Sequence, residues 1–202
     1  MISRERILEA AGRVYAKHGF RGATTRLIAS EADVNEVTLF RTFGSKSALL
    51  EAVLMQHHDA RPKAELPLEP VDPQRELTDW IQTSLEHVRA IRPLLVHSMG
   101  EIEERPEAAE FACRGRRMAH DSITAYVRAL QAQDMADQDA DVDAAAVMLM
   151  GTVMSDAIAR TFVPDLYPPV DEAAERYATA FLRSLGLKTI ASPSVRKARS
   201  HA

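Results

Sequence analysis

Between Thr24 and Lys46 the chain reads TTRLIASEADVNEVTLFRTFGSK, and few backbone arrangements suit that string. Thr24 and Thr25 offer hydroxyls to the unpaired N–H groups of a helix start. Leu27, Ile28 and Ala32 then place apolar groups on one face of a short helix. Asp33-Val34-Asn35 breaks the period, and Asn35 is a strong N-cap for a second helix carrying Val37, Leu39, Phe40 and Phe43. Ser45 is suited to cap a third helix, which Lys46 opens. Two helices of about two turns each, joined by a three- or four-residue turn, match a DNA-binding helix-turn-helix. Many helix pairs share that outline, so the flanks decide how much it means.

Before the motif, Ile7, Leu8, Ala11, Val14, Tyr15 and His18 recur at helical spacing, and Gly19 supplies a C-terminal stop. After it, GSKSALLEAVL starts another amphipathic helix. The order helix, G-F-x-x-x-T-T, I-A-x-x-A-x-V, T-L-F-R-x-F, S-K-x-x-L-L resembles the TetR family of bacterial transcriptional regulators. The resemblance covers about the first 55 residues; the remainder carries no motif. It implies an all-α chain of about nine helices: a three-helix helix-turn-helix head over 1–46, and a larger ligand-binding and dimerisation body over 47–186. Residues 187–202 read as a disordered basic tail. Three positions depart from the family pattern. Asp33 stands where glycine is usual, Phe40 where tyrosine is usual, and Thr42 where histidine or tyrosine is common. Aspartate tolerates a left-handed backbone better than most residues, so the turn survives. Phe40 removes a phenolic donor and with it one expected phosphate contact.

A chain of 202 residues, 46% of them hydrophobic, suffices for one sizeable core or two small ones. Eight glycines and a wealth of Ala, Leu, Glu and Arg favour helices throughout. The N-terminus passes from Met1 into a charged helix with no signal-peptide pattern, and no run of about 18 uncharged apolar residues suggests a membrane span. The single Cys113 cannot form an internal disulfide, which suits a reducing cytoplasm. The net charge of −4 divides unevenly. Residues 1–50 hold eight Lys/Arg against five Asp/Glu, residues 51–186 hold thirteen against twenty-four, and the tail holds four with no acid. Positive charge therefore sits where phosphates would be met.

In the body, residues 45–59 link the head to the rest, and Pro62, Pro67, Pro70 and Pro73 mark an irregular connector. Helices follow over about 74–91, from Pro93 to about 103, from Pro106 to about 132, over about 141–162 and over about 170–186. The 141–162 helix is apolar nearly all round, so it needs cover on every side. Ala144, Met148, Gly151 and Ser155 recur on it at spacings of three and four, and most are small enough for a close helix contact. Together with the last helix, where Tyr177 and Phe181 lie, they form the expected seam of a homodimeric four-helix bundle. A central core helix in a monomer is the plainer alternative.

Candidate site residues follow. On the recognition helix from Asn35 to Thr42, Thr38 and Glu36 suit base edges and Val37 an apolar contact, with Phe40 alongside. Thr25, Arg26, Arg41 and Lys46 suit phosphates of double-stranded DNA. Trp80, Met99, Phe111, Met118, Tyr126, Met148, Met150 and Met154 are large or adaptable apolar groups that could line a pocket for a small, largely apolar effector, although each also suits plain core. No HExxH, CxxC, phosphate-binding loop or nucleophile elbow appears, so no enzyme, metal or cofactor is expected. The sequence thus reads as a homodimeric repressor released from a palindromic operator by its effector. The rival is a protein of the same fold that has lost operator binding and acts through protein partners.

Overall fold

A computed structural model describes residues 4–59, 65–101 and 106–187; the basic tail, and with it the expectation of disorder there, falls outside these residues. Among the described residues the chain is all-helical. α1 (Arg4–Gly22), α2 (Thr25–Glu31) and α3 (Glu36–Phe43) make the head, and α4 (Lys46–Asp59) leads out of it. The body holds α5 (Pro73–Ala90), α6 (Arg92–Glu101), α7 (Pro106–Ala132), α8 (Val142–Ala159) and α9 (Ala173–Ser184), with a 3-10 turn at Pro164–Leu166.

Short-range chemistry sets most helix ends. Thr24 Oγ1 accepts from Leu27 N at 3.2 Å, Asn35 Oδ1 from Val37 N at 2.9 Å and Ser45 Oγ from Ala48 N at 3.0 Å. Asp72 and Asp141 cap α5 and α8 in the same way. Each such cap contributes about 1 kcal/mol. Gly19 adopts φ 63, which ends the regular part of α1, and one further turn runs on to Gly22. Gly186 sits at φ 78 just past α9, where a Cβ would fall 2.2 Å from the Asp137 carboxylate.

The buried residues form two clusters. In the head, Ile7, Leu8, Ala11, Val14 and Tyr15 of α1 meet Ile28 and Ala29 of α2, Leu39 of α3 and Leu49, Leu50 and Val53 of α4. Leu94 of α6 joins them, so the head's core reaches past Lys46 and is closed by a body helix. His18, which shares the helical spacing of these α1 residues, is exposed. In the body, α5, α7, α8 and α9 bury Leu77, Trp80, Ile81, Ile123, Tyr126, Leu149, Phe181 and their neighbours. Tyr126 carries its hydroxyl into this core and donates to Glu76 Oε2 at 2.6 Å. Burial and the neighbouring carboxylate raise the phenol's pKa above its ordinary value.

α8 is long and apolar enough to cross a membrane by length and composition, with mean hydropathy 1.5. Its inner face, Ala145, Ala146, Leu149, Val153, Asp156 and Ala157, is buried in the body. Its outer face, Ala144, Val147, Met148, Gly151 and Ser155, is exposed, with Met148 at 61%.

Asp156 is the polar centre of the body, with no exposed surface. Arg89 Nη2 of α5 donates to its Oδ1 at 2.7 Å, Arg160 Nε to the same oxygen at 2.8 Å, and Tyr177 OH of α9 to Oδ2 at 2.7 Å. Arg160 Nη2 reaches Oδ2 as well, and Arg160 Nη1 donates to Pro168 O at 2.6 Å. One carboxylate thus joins the end of α5, the end of α8, the following loop and α9. Burial alone would raise the Asp156 pKa, but the hydrogen bonds from Arg160, Arg89 and Tyr177 outweigh it and leave the group at about 2.

Candidate nucleic-acid interface

The turn between α2 and α3 fixes how α3 is presented. Asp33 takes φ 50, the left-handed conformation for which glycine is the usual choice. Its N–H bonds to Ser30 O at 3.2 Å and that of Val34 to Ala29 O at 2.9 Å, the paired closure of a Schellman motif. Asn35 then caps α3. Leu39 anchors α3 inward with no exposed surface, so the opposite face looks out. Val37 is 71% exposed and Phe40 44%, and Arg41 and Thr42 are exposed beside them. Thr38 is half-buried, and its carbonyl accepts from Thr42 Oγ1 at 2.8 Å. Val37 in the first turn of α3 and Phe40 three residues on form an adjoining exposed apolar pair, and adjoining apolar groups mark a face suited to contact better than a single one does.

The polar residues around α3 already have partners. Thr25 Oγ1 donates to Glu36 Oε1, which ties the start of α2 to the start of α3. Lys46 donates to Phe20 O and lies over the Phe20 ring at 4.1 Å, so its ammonium is held at the end of α1. A lysine has three donors, and the Phe20 carbonyl takes one of them. Arg26 is exposed near the start of α2. Asn35, placed among the DNA-facing residues by its sequence position, spends its side-chain oxygen on the cap.

Arg6 is the residue that the sequence pattern does not single out. From α1 its Nε and Nη2 donate to Ala32 O at 3.0 and 2.8 Å, and Nη2 also to Asp33 O at 3.0 Å. Arg13 Nε pairs with Glu31 Oε1 at 3.1 Å on the same side of the head. These contacts span 26, 27 and 18 residues, beyond the reach of any local motif.

Residues 7–53, which hold all but the first three residues of α1, the whole of α2 and α3, and the first part of α4, match the family described as "Bacterial regulatory proteins, tetR family". The head of this chain is a TetR-family DNA-binding head. A helix-turn-helix-type transcriptional regulator of Bacillus subtilis, YvkB, is 47% identical over 57 residues, 28% of this chain and 30% of YvkB. UidR of Escherichia coli is 27% identical over 146 residues, 71% of this chain and 72% of UidR. The repressor AcnR of Corynebacterium glutamicum is 33% identical over 100 residues, 45% of this chain and 51% of AcnR. Among solved structures, GusR of Salmonella enterica covers 89% of this chain and 95% of its own, with 25% identity and a TM-score of 0.72. PfmR of Thermus thermophilus, 23% identical with a TM-score of 0.67, covers 88% of this chain and 97% of its own.

The body behind this TetR-like head distributes the remaining candidates unevenly. Trp80 and Tyr126 are buried in the body core, Met150 and Met154 are half-buried, and Met99, Met118 and Met148 are about half exposed or more. The side chain of Phe111 lies outside the described residues. A groove of 920 Å³ runs between the start of α5 and α9, lined by Gln74, Thr78, Asp79, Glu175, Thr179 and others, and it touches none of the effector candidates. Ala144, Met148, Gly151 and Ser155 share the outer face of α8, and Ser155 Oγ lies 2.8 Å from the Tyr167 hydroxyl. Two seam candidates turn the other way. Phe181 is 6% exposed and packs in the protomer's own core, and Tyr177 directs its hydroxyl to Asp156. The buried apolar residues of α9 pack against α5 and α8 of the same protomer.

Proposed function

We propose that the chain is a homodimeric transcriptional repressor that docks α3 of each subunit in a major groove of a palindromic operator and is released by a small, largely apolar effector bound in the body. The exposed face of α3 supports this reading most: Val37, Phe40 and Arg41 project from a helix whose other side is anchored by Leu39. In this reading Thr38 and Glu36 meet base edges, and Val37 meets a thymine methyl. Thr25, Arg26, Arg41 and Lys46 meet phosphates, which give affinity and register without sequence information. The uncovered outer face of α8 supports the dimer, because a second copy of Ala144, Met148 and Gly151 would remove it from water. The named relatives are transcriptional regulators, and AcnR is a repressor. A cytoplasmic site of action goes with this function.

The test is fluorescence anisotropy with duplexes tiled through the DNA upstream of the chain's own coding sequence. A duplex bound at least about a thousandfold more tightly than its scrambled counterpart supports operator recognition. Equal, weak binding of all duplexes supports the rival, in which protein partners replace the operator.

Phe40 provides a finer expectation. Its ring is only half covered, so an added hydroxyl reaches water without disturbing the packed edge. Phe40→Tyr should tighten binding to operator and scrambled duplexes alike by about 0.5–1.5 kcal/mol, the net value of one hydrogen bond. Weaker binding would place the ring against a base or in a space without room for oxygen.

A further inference from the structure

The α2–α3 turn contains a conformation that its own residue does not favour. Asp33 is at φ 50, and left-handed backbone is less favourable for aspartate than for glycine. The Schellman bonds from Asp33 N and Val34 N satisfy Ser30 O and Ala29 O but leave the carbonyls of Ala32 and Asp33 to be met from elsewhere. Arg6 meets both. Its Nε and Nη2 converge on Ala32 O at 3.0 and 2.8 Å, and Nη2 also reaches Asp33 O at 3.0 Å. The guanidinium also lies where the end of the α2 dipole favours a cation. Its charge pair with the Asp33 carboxylate is long, at 3.6 Å, and the carboxylate is fully exposed, so that pair adds little. The forked bonds to the two carbonyls are the effective part. Arg6 is itself held in place by its neighbours Ile7 and Leu8, which are buried in the head core.

We propose that Arg6 is a positioning residue for operator recognition: from α1 it clamps the α2–α3 turn at Asp33 and so sets the angle at which α3 enters the groove. This rests on the DNA-binding reading above and adds a residue that touches no base. Leu39 fixes the inner side of α3 and the Thr25–Glu36 bond fixes its start; the Arg6 clamp adds the restraint at the turn itself, and contacts to base edges tolerate displacement less than contacts to phosphates do. A lysine cannot reproduce the clamp, because it lacks the planar fork that serves two carbonyls at once.

The experiment measures full-chain binding to the upstream duplex and to its scrambled form, with circular dichroism to confirm folding. Arg6→Ala should weaken binding to the upstream duplex by about tenfold or more while changing scrambled binding by less than about twofold. The slope of log affinity against log salt should stay unchanged, since no phosphate contact is lost. In an Asp33→Gly background, where the left-handed turn carries less strain, the same Arg6→Ala change should cost less than about threefold. A loss equal for all duplexes with the slope smaller by about one unit would make Arg6 a phosphate contact and overturn the proposal. No loss, or the same loss in both backgrounds, would also overturn it. Should Arg6→Ala fail to fold, Arg6→Lys in the two backgrounds gives the same comparison. Thr38→Ala run alongside separates the two layers: if it loses affinity on the upstream duplex and Arg6→Ala does not, only the clamp fails.

Discussion

Asp156→Ala should lower the stability of the chain by about 3–5 kcal/mol, because it leaves Arg89 and Arg160 with charges that the folded body no longer balances. For a chain of this size, each kcal/mol moves the melting point by about 2–4 °C, so a fall of roughly 10 °C is expected in a thermal melt. The pH dependence follows from the carboxyl being held at about 2. Its unfolded value is higher, so the stabilisation is complete above about pH 4 and is lost as pH falls through about 2. Asp156→Asn removes the charge and should flatten that acid limb while leaving neutral-pH stability lower than wild type. A melt that does not change in Asp156→Ala would mean that the two arginines find other acceptors and that the carboxylate does not join α5, α8 and α9.

The proposed α8 seam predicts that Gly151→Leu dissociates the subunit pair without harming the subunit. In the protomer a Cβ at Gly151 meets nothing within 4 Å, and glycine within a helix is unfavourable by about 0.5–1 kcal/mol relative to alanine. The isolated subunit should therefore fold at least as stably. Across a two-fold seam the added side chains appear in both copies, and overpacking costs on the order of 1–3 kcal/mol at a close contact. The dimer dissociation constant should rise tenfold or more in analytical ultracentrifugation. A dimer of unchanged strength would remove Gly151 from the interface and leave the outer face of α8 to another partner.

The features legible in the sequence are those whose causes lie within a few residues. Thr24, Asn35 and Ser45 each cap a helix by bonding an N–H two or three positions on, so those helix starts could be read directly; Asp72 and Asp141 act in the same way, although the pattern there does not single them out. The left-handed Asp33 was readable for the same reason, since the constraint belongs to one residue. Arg6 was not readable, because its partners stand 26 and 27 residues away and no periodicity links them. Asp156 left a visible trace, being the only charged residue between Ala144 and Ala159, although its partners Arg89 and Tyr177 lie 67 and 21 positions off. Helical periodicity also shows that α9 has an apolar face but not what covers it. Phe181 and Tyr177 carry that face into the protomer's own core, whereas Met148 and Gly151 on α8 remain outside. The same ambiguity affects the methionines of the body, which suit core, seam and pocket equally well by composition.

Operator reading by α3 is tested most directly at Thr38. Its side chain is half-buried beside the exposed Val37, and its hydroxyl can be removed with little loss of packing. Thr38→Ala should be measured by anisotropy at one salt concentration, against the upstream duplex and a set carrying single base-pair changes. The expected result is a loss of about 1–3 kcal/mol confined to one base pair of each half-site, with discrimination at that position relaxed. An equal loss on every duplex, or none on any, would contradict the placement of Thr38 against a base edge.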